Sequence, residues 1–121
     1  MDPVPLQDSG TYYAALFLHR YRVYLPAMSH APRYAQHRFH EQTATLAAIA
    51  DGYERGYTQA DSVVRRRLRL AEWLWTLQLI VESHALLQGE LSTEMRLRRG
   101  DTANVAVTLE QSLQALAQLR W

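Results

Sequence analysis

The side chains best equipped for chemistry in this 121-residue chain are its arginines, since all thirteen Lys/Arg positions are arginine and none is lysine. They gather in groups. Arg65, Arg66, Arg67 and Arg69 form one, Arg96, Arg98 and Arg99 a second, with Arg33 and Arg38 upstream. A guanidinium presents a planar fork of donors that matches phosphate oxygens two at a time, so these nine are candidate contacts to RNA or DNA. The competing reading is a solvated face that pairs with carboxylates of a neighbouring subunit. Within a helix, Glu72 can pair with Arg69 and Asp61 with Arg65, whereas Arg66 and Arg67 have no such helper. The net charge of +1 argues against strong nonspecific binding, because that affinity scales with the number of phosphates neutralised. Repetition by symmetry would multiply a weak patch.

Other reactive constellations are sparse. His37, His40 and Glu41 share a face if the segment is helical, and could then meet a metal. His40-Glu41 also begins a zinc-protease pattern, but Ala44 stands where the second histidine is needed. Glu82-Ser83-His84 contains the right residue types for a dyad, yet adjacent helical residues point in different directions. The absence of cysteine removes disulfides, thiol catalysis and thiolate zinc sites. No glycine-rich phosphate loop and no glycine-flanked serine occur. The expectation is no catalytic residue, no bound metal, no cofactor and no small-molecule substrate: not an enzyme.

Helices must carry these side chains, for no strand-like alternation appears. A single domain is expected over 1–121, with an extended segment at 1–8. The first helical segment starts after Asp8 or Ser9 on the stripe Tyr13, Phe17, Tyr21, Tyr24 and Met28, and Pro26 should kink or stop it. The second is expected from Pro32 or Arg33 to Arg55, with Gly56 just past its end. Thr58 and Asp61 resemble a capping box opening the third, which runs to Gln88 and stops at Gly89. Its expected core stripe is Val64, Leu68, Ala71, Leu74, Leu77 or Gln78, Val81 and Ala85. Ser92 caps the fourth, which Gly100-Asp101 interrupts before it ends beside Trp121. Short connections force neighbours antiparallel, so the expected fold is an all-α, up-down-up-down four-helix bundle.

The third segment holds a surplus. From Leu70 to Val81 it is apolar on nearly every side, and once one stripe faces the bundle, Trp73, Trp75, Leu79 and Ile80 still need cover. In so short a chain that cover is expected from further copies, so these four are candidate oligomer contacts. No run reaches the ~18 apolar residues of a membrane span, and the start lacks an export signal's basic and apolar regions. No membrane association and a cytoplasmic location are therefore expected.

The order of features resembles a known family. An aromatic-rich first helix is followed by Pro32-Arg33-Tyr34, then a helix ending near Tyr53-Glu54. The third helix carries Arg67-Leu-Arg-Leu-Ala-Glu-Trp-Leu-Trp75, Leu91-Ser92 follows a break, and the last helix ends near a tryptophan. This is similar to the small four-helix-bundle family of 23S rRNA intervening-sequence proteins and accessory variability determinants of diversity-generating retroelements. The likeness covers about residues 12 to 121 and rests on helix lengths and a few positions. It implies a homo-oligomer, typically a pentameric barrel, and in the retroelement branch a basic surface engaging RNA, DNA and a reverse transcriptase. Arg33 would match the start of helix two, Arg65 to Arg69 the basic start of helix three, and Trp73-Leu74 its aromatic centre. Ala35-Gln36 stands where that family has glycine, and Leu119-Arg120-Trp121 replaces its terminal Gly-Trp. These departures favour a scaffold over the retroelement role. The expectation is a non-enzymatic homo-oligomeric scaffold that presents arginines to RNA or DNA. The alternative is a purely structural protein–protein interaction module without nucleic-acid affinity.

Overall fold

The computed structural model describes residues 9–29 and 31–119. The extended segment expected at 1–8, His30, and the terminal Arg120 and Trp121 lie outside the described residues. Among the described residues every regular element is helical, and no helix is long and apolar enough to cross a membrane. Helix α1 (Ser9–His19) continues through a π-helical stretch (Arg20–Tyr24) into α2 (Leu25–Ala27). Then come α3 (Thr43–Thr58), α4 (Ser62–Leu86), α5 (Thr93–Arg99) and α6 (Thr102–Gln118). Helix α4 packs against α1 on one side and α6 on another, while α3 leans on α1 and the π-helical stretch.

The first segment ends at Ala27, one residue past Pro26. The backbone widens just before the proline: the Leu25 N–H reaches back to the Arg20 carbonyl, an i→i−5 bond. That wider turn relieves the crowding a proline ring imposes on the preceding turn. The second segment does not begin at Pro32 or Arg33. Residues 35–37 and 39–41 form two 3-10 turns separated by Arg38 in the left-handed conformation, φ 51°. Most of this stretch is exposed, so it has no buried face to stabilise a helix. At its far end α3 runs through Gly56 to Thr58, and Gln59 and Ala60 take the left-handed turn instead. Asp61 then caps α4, accepting from the Val63 and Val64 amides at 2.9 and 3.1 Å.

The later boundaries follow the sequence reading to within two residues. Helix α4 ends at Leu86, and Ser92 Oγ accepts from the Met95 amide to open α5. Gly100, at φ 85° and ψ −164°, separates α5 from α6. Asp101 and Asn104 close a reciprocal capping box, each side chain bonded to the other's amide at 3.0 Å.

The interior differs from the expected stripes. It is built largely of small and hydroxylated residues: Ala14, Ala15, Ala50 and Ala71 with Leu18 and Leu68, then Val23, Met28 and Leu79. Thr76, Ser83, Thr108 and Ser112 are fully buried. Thr76, Thr108 and Ser112 return their hydroxyls to the carbonyl one turn back in their own helix, at 3.1, 3.0 and 2.7 Å. A hydroxyl satisfied this way packs as a small group and lets helices approach closely. The inward face of α4 is therefore Leu68, Ala71, Glu72, Thr76, Leu79 and Ser83. Most of its expected core stripe lies elsewhere: Leu74 and Val81 are exposed at 43% and 61%, Ala85 is exposed too, and Val64 and Leu77 are half-buried. Leu70 (49%) and Val63 (56%) join them on that outer side.

Candidate nucleic-acid and self-association surfaces

Glu72 explains the turn of α4. Its carboxylate is fully buried and accepts from Arg22 Nη1 at 2.9 Å and Arg69 Nη1 at 3.1 Å. Arg22 also donates to Asp51 at 2.8 Å and Glu54 at 3.0 Å, and Arg69 donates to Glu54 at 3.1 Å. Two cations and three anions thus tie the π-helical stretch, α3 and α4 together. Burial alone would lower the pKa of Arg22, but Glu72, Asp51 and Glu54 outweigh it and the net shift is upward. A buried carboxylate so heavily paired cannot rotate to solvent without stranding its partners. A spacing signal for this existed in the sequence: Leu68, Glu72, Thr76, Leu79 and Ser83 recur at three and four on one face. Large apolar side chains elsewhere on the helix masked it.

The candidate arginines divide accordingly. Arg69 is consumed in this network, and Arg99, also buried, pairs with Glu82 and donates to Ser83. Neither has a free fork to offer a phosphate. Arg33, Arg38, Arg65, Arg66, Arg67, Arg96 and Arg98 are exposed. Arg65 lies 3.8 Å from Glu54 and Arg38 lies 3.9 Å from Glu41. No ion pair to Arg66, Arg67, Arg96 or Arg98 occurs among the described residues. Arg33 packs over the Tyr34 ring, and its amide donates to the Leu97 carbonyl at 3.2 Å, which joins it to the Arg96–Arg98 group. That group docks where α4 ends, through Arg99 on Glu82 and Ser83. Sixteen residues of helix, about 24 Å, separate it from Arg66 at the other end.

The candidate oligomer contacts divide too. Leu79 belongs to the subunit's own interior, in contact with Val23 and Met28. Trp75 is half-buried; its indole N–H donates to the Tyr12 carbonyl at 2.8 Å, and its ring stacks on Tyr12 with centroids 4.4 Å apart. Trp73 and Ile80 are half-buried and flank the outer stripe of Val63, Leu70, Leu74, Leu77 and Val81. Beside that stripe lies a shallow recess of about 160 Å³ between α1 and α4, lined by Thr11, Tyr12, Arg67, Leu70, Ala71 and Leu74.

His37, His40 and Glu41 do not share a helical face, because the left-handed Arg38 breaks the segment between the two 3-10 turns. The His37 ring stacks on Phe39 instead. In the Glu82-Ser83-His84 string, Glu82 and Ser83 both serve Arg99, and His84 is exposed. A second recess, about 150 Å³, opens beside the π-helical stretch, lined in part by His19, Tyr24, Trp75 and Gln78. His19 is buried there, 3.1 Å from Thr76 Oγ1. That hydroxyl already donates to the Glu72 carbonyl, so His19 Nδ1 is the donor. Burial first, and the charge of Arg20 second, push its pKa down to about 4.

Comparison with known proteins adds no assignment to this geometry. No protein-family model, no curated protein and no solved structure matches the chain.

Proposed function

We propose that this chain is a non-enzymatic, homo-oligomeric four-helix-bundle scaffold, formed around α1, α3, α4 and α6, that presents arginines to the phosphates of RNA or DNA. One observation carries the reading: Val63, Leu70, Leu74 and Val81 of α4 face solvent while its interior face, Leu68 and Leu79 apart, is small or polar. Such a face is stabilised when another apolar surface removes it from water, at roughly 25 cal/mol per Å². Support for polynucleotide contact comes from Arg66, Arg67, Arg96 and Arg98, which pair with no carboxylate among the described residues and stand in two groups.

Light scattering across a concentration series tests the first half, with a mass that is a multiple of 14.0 kDa expected. Binding of labelled RNA across a salt series tests the second. Affinity should fall steeply with salt, and reversing Arg66 and Arg67, or Arg96 and Arg98, to glutamate should flatten that slope. The second reading is a structural interaction module with no nucleic-acid affinity. It draws support from the internal use of Arg22, Arg69 and Arg99, and would appear as assembly without RNA binding at any salt.

A further inference from the structure

Resting on the reading that the chain self-associates, we infer that its partner is a second copy, docked antiparallel along α4 about a two-fold axis. The outer stripe has a strict heptad spacing: Val63, Arg67, Leu70, Leu74, Leu77, Val81 and His84 alternate steps of four and three. That is the seam of a helix pair. The stripe also reads nearly the same from both ends about a centre between Leu74 and Leu77. Opposing two copies head to tail sets Leu74 against Leu77 and Leu70 against Val81, while Arg67 meets His84. On one flank of the seam, Trp73 of each copy then meets Ile80 of the other.

Two features select this arrangement. The first is charge. A parallel pair would stack Arg67 on Arg67 beside Arg66 on Arg66, like charges at close range. The antiparallel pair moves these arginines to the C-terminal end of the other α4, the negative end of its dipole. The second is shape. A knob from a facing helix fits a hole formed by four residues at i, i+3, i+4 and i+7. The recess beside the stripe is lined by Arg67, Leu70, Ala71 and Leu74, which have that spacing, and Tyr12 of α1 forms its outer wall. In the antiparallel register the side chain entering it is Val81 of the second copy, and the two-fold fills both recesses at once. Such an interface is self-complementary and closes at two copies, unlike the ring of five implied by the family resemblance.

Cysteine cross-linking tests the geometry, since the natural chain contains no thiol. Leu70→Cys and Val81→Cys change exposed side chains, so the fold should tolerate them. Mixed under mild oxidation, the two variants should form a cross-linked pair, and neither should do so alone, because a disulfide needs Cα atoms within about 7 Å. Leu74→Glu should convert a particle of twice 14.0 kDa to a single chain with unchanged helical circular dichroism. Cross-linking of Leu70→Cys with itself, or of Val81→Cys with itself, would indicate a parallel seam and overturn the inference. A multimer that survives Leu74→Glu would overturn it too, while leaving self-association standing. A single-chain mass for the unmodified protein at every concentration would overturn both.

Discussion

Glu72 and His19 are the two side chains whose burial is hardest to reconcile with their chemistry, and each makes a prediction of its own. Glu72 has no exposure and holds Arg22 and Arg69. Removing one member of a buried ion cluster strands the others, at a cost of about 3–5 kcal/mol. Glu72→Gln should therefore lower the urea midpoint markedly. Asp51, which holds the same Arg22 from a side chain 56% exposed, should cost less than ~1 kcal/mol as Asp51→Asn. Equal losses would mean the burial of Glu72 adds nothing. His19 acts through protons. Its folded pKa, about 4, lies below the unfolded value of 6.5, so the unfolded chain binds the proton more readily in between. The associated stability is fully present above pH 6.5 and is lost as pH falls towards 4. By linkage this amounts to about 2 kcal/mol between pH 7 and pH 5. Denaturant titrations at both pH values should show that loss, and in His19→Gln the part owed to the imidazole should vanish.

At the scale of elements, the breaks were easier to read than the faces. Ser92 and Gly100-Asp101 act locally, through backbone freedom and side-chain caps, so their consequences are legible in the chain order, whereas α4 ends at Leu86, three residues before Gly89. Gly100 gives the sharpest test. Its φ of 85° favours glycine, and an added Cβ would lie 2.5 Å from Asn104 Oδ1, the acceptor that closes the α6 capping box. Gly100→Ala should cost about 2 kcal/mol or more, from backbone strain and the displaced cap together. Asn104→Ala alone should cost only about 1 kcal/mol. Thermal unfolding of the two variants would rank them. The face of α4 was not legible in the same way. Periodicity assigns large apolar residues to the interior, and here Leu74 and Val81 lie outside while Glu72, Thr76 and Ser83 lie inside. A hydroxyl bonded to its own helix and a carboxylate bonded to two arginines from two elements behave as core residues. The partner that makes Glu72 tolerable, Arg22, is fifty positions away in the chain. The stretch from Arg33 to Gln42 departs from a helix for a related reason: fair helix formers without a buried face do not hold a helix.

At the scale of the whole molecule, the arrangement of charge matters more than its sum. A net charge of +1 gives little long-range pull on a polyanion. The exposed arginines nonetheless collect at opposite ends of α4, with Arg66 and Arg67 at its start and Arg33, Arg96 and Arg98 beside its end. Antiparallel pairing would bring the first group of one copy to the same end as the second group of the other. Each end of the pair then gathers exposed guanidiniums from both copies, more than either end of a lone chain carries. Each phosphate neutralised adds about 0.7 to 0.9 to the slope of log affinity against log salt. The monomerising Leu74→Glu should therefore flatten the salt dependence of RNA binding with every arginine still in place. Reversal of Arg96 and Arg98, which lie outside the seam, should flatten it with the pair intact. If Leu74→Glu leaves the slope of the unmodified protein unchanged, the phosphate contacts come from single ends of single chains, and assembly contributes nothing to the binding surface.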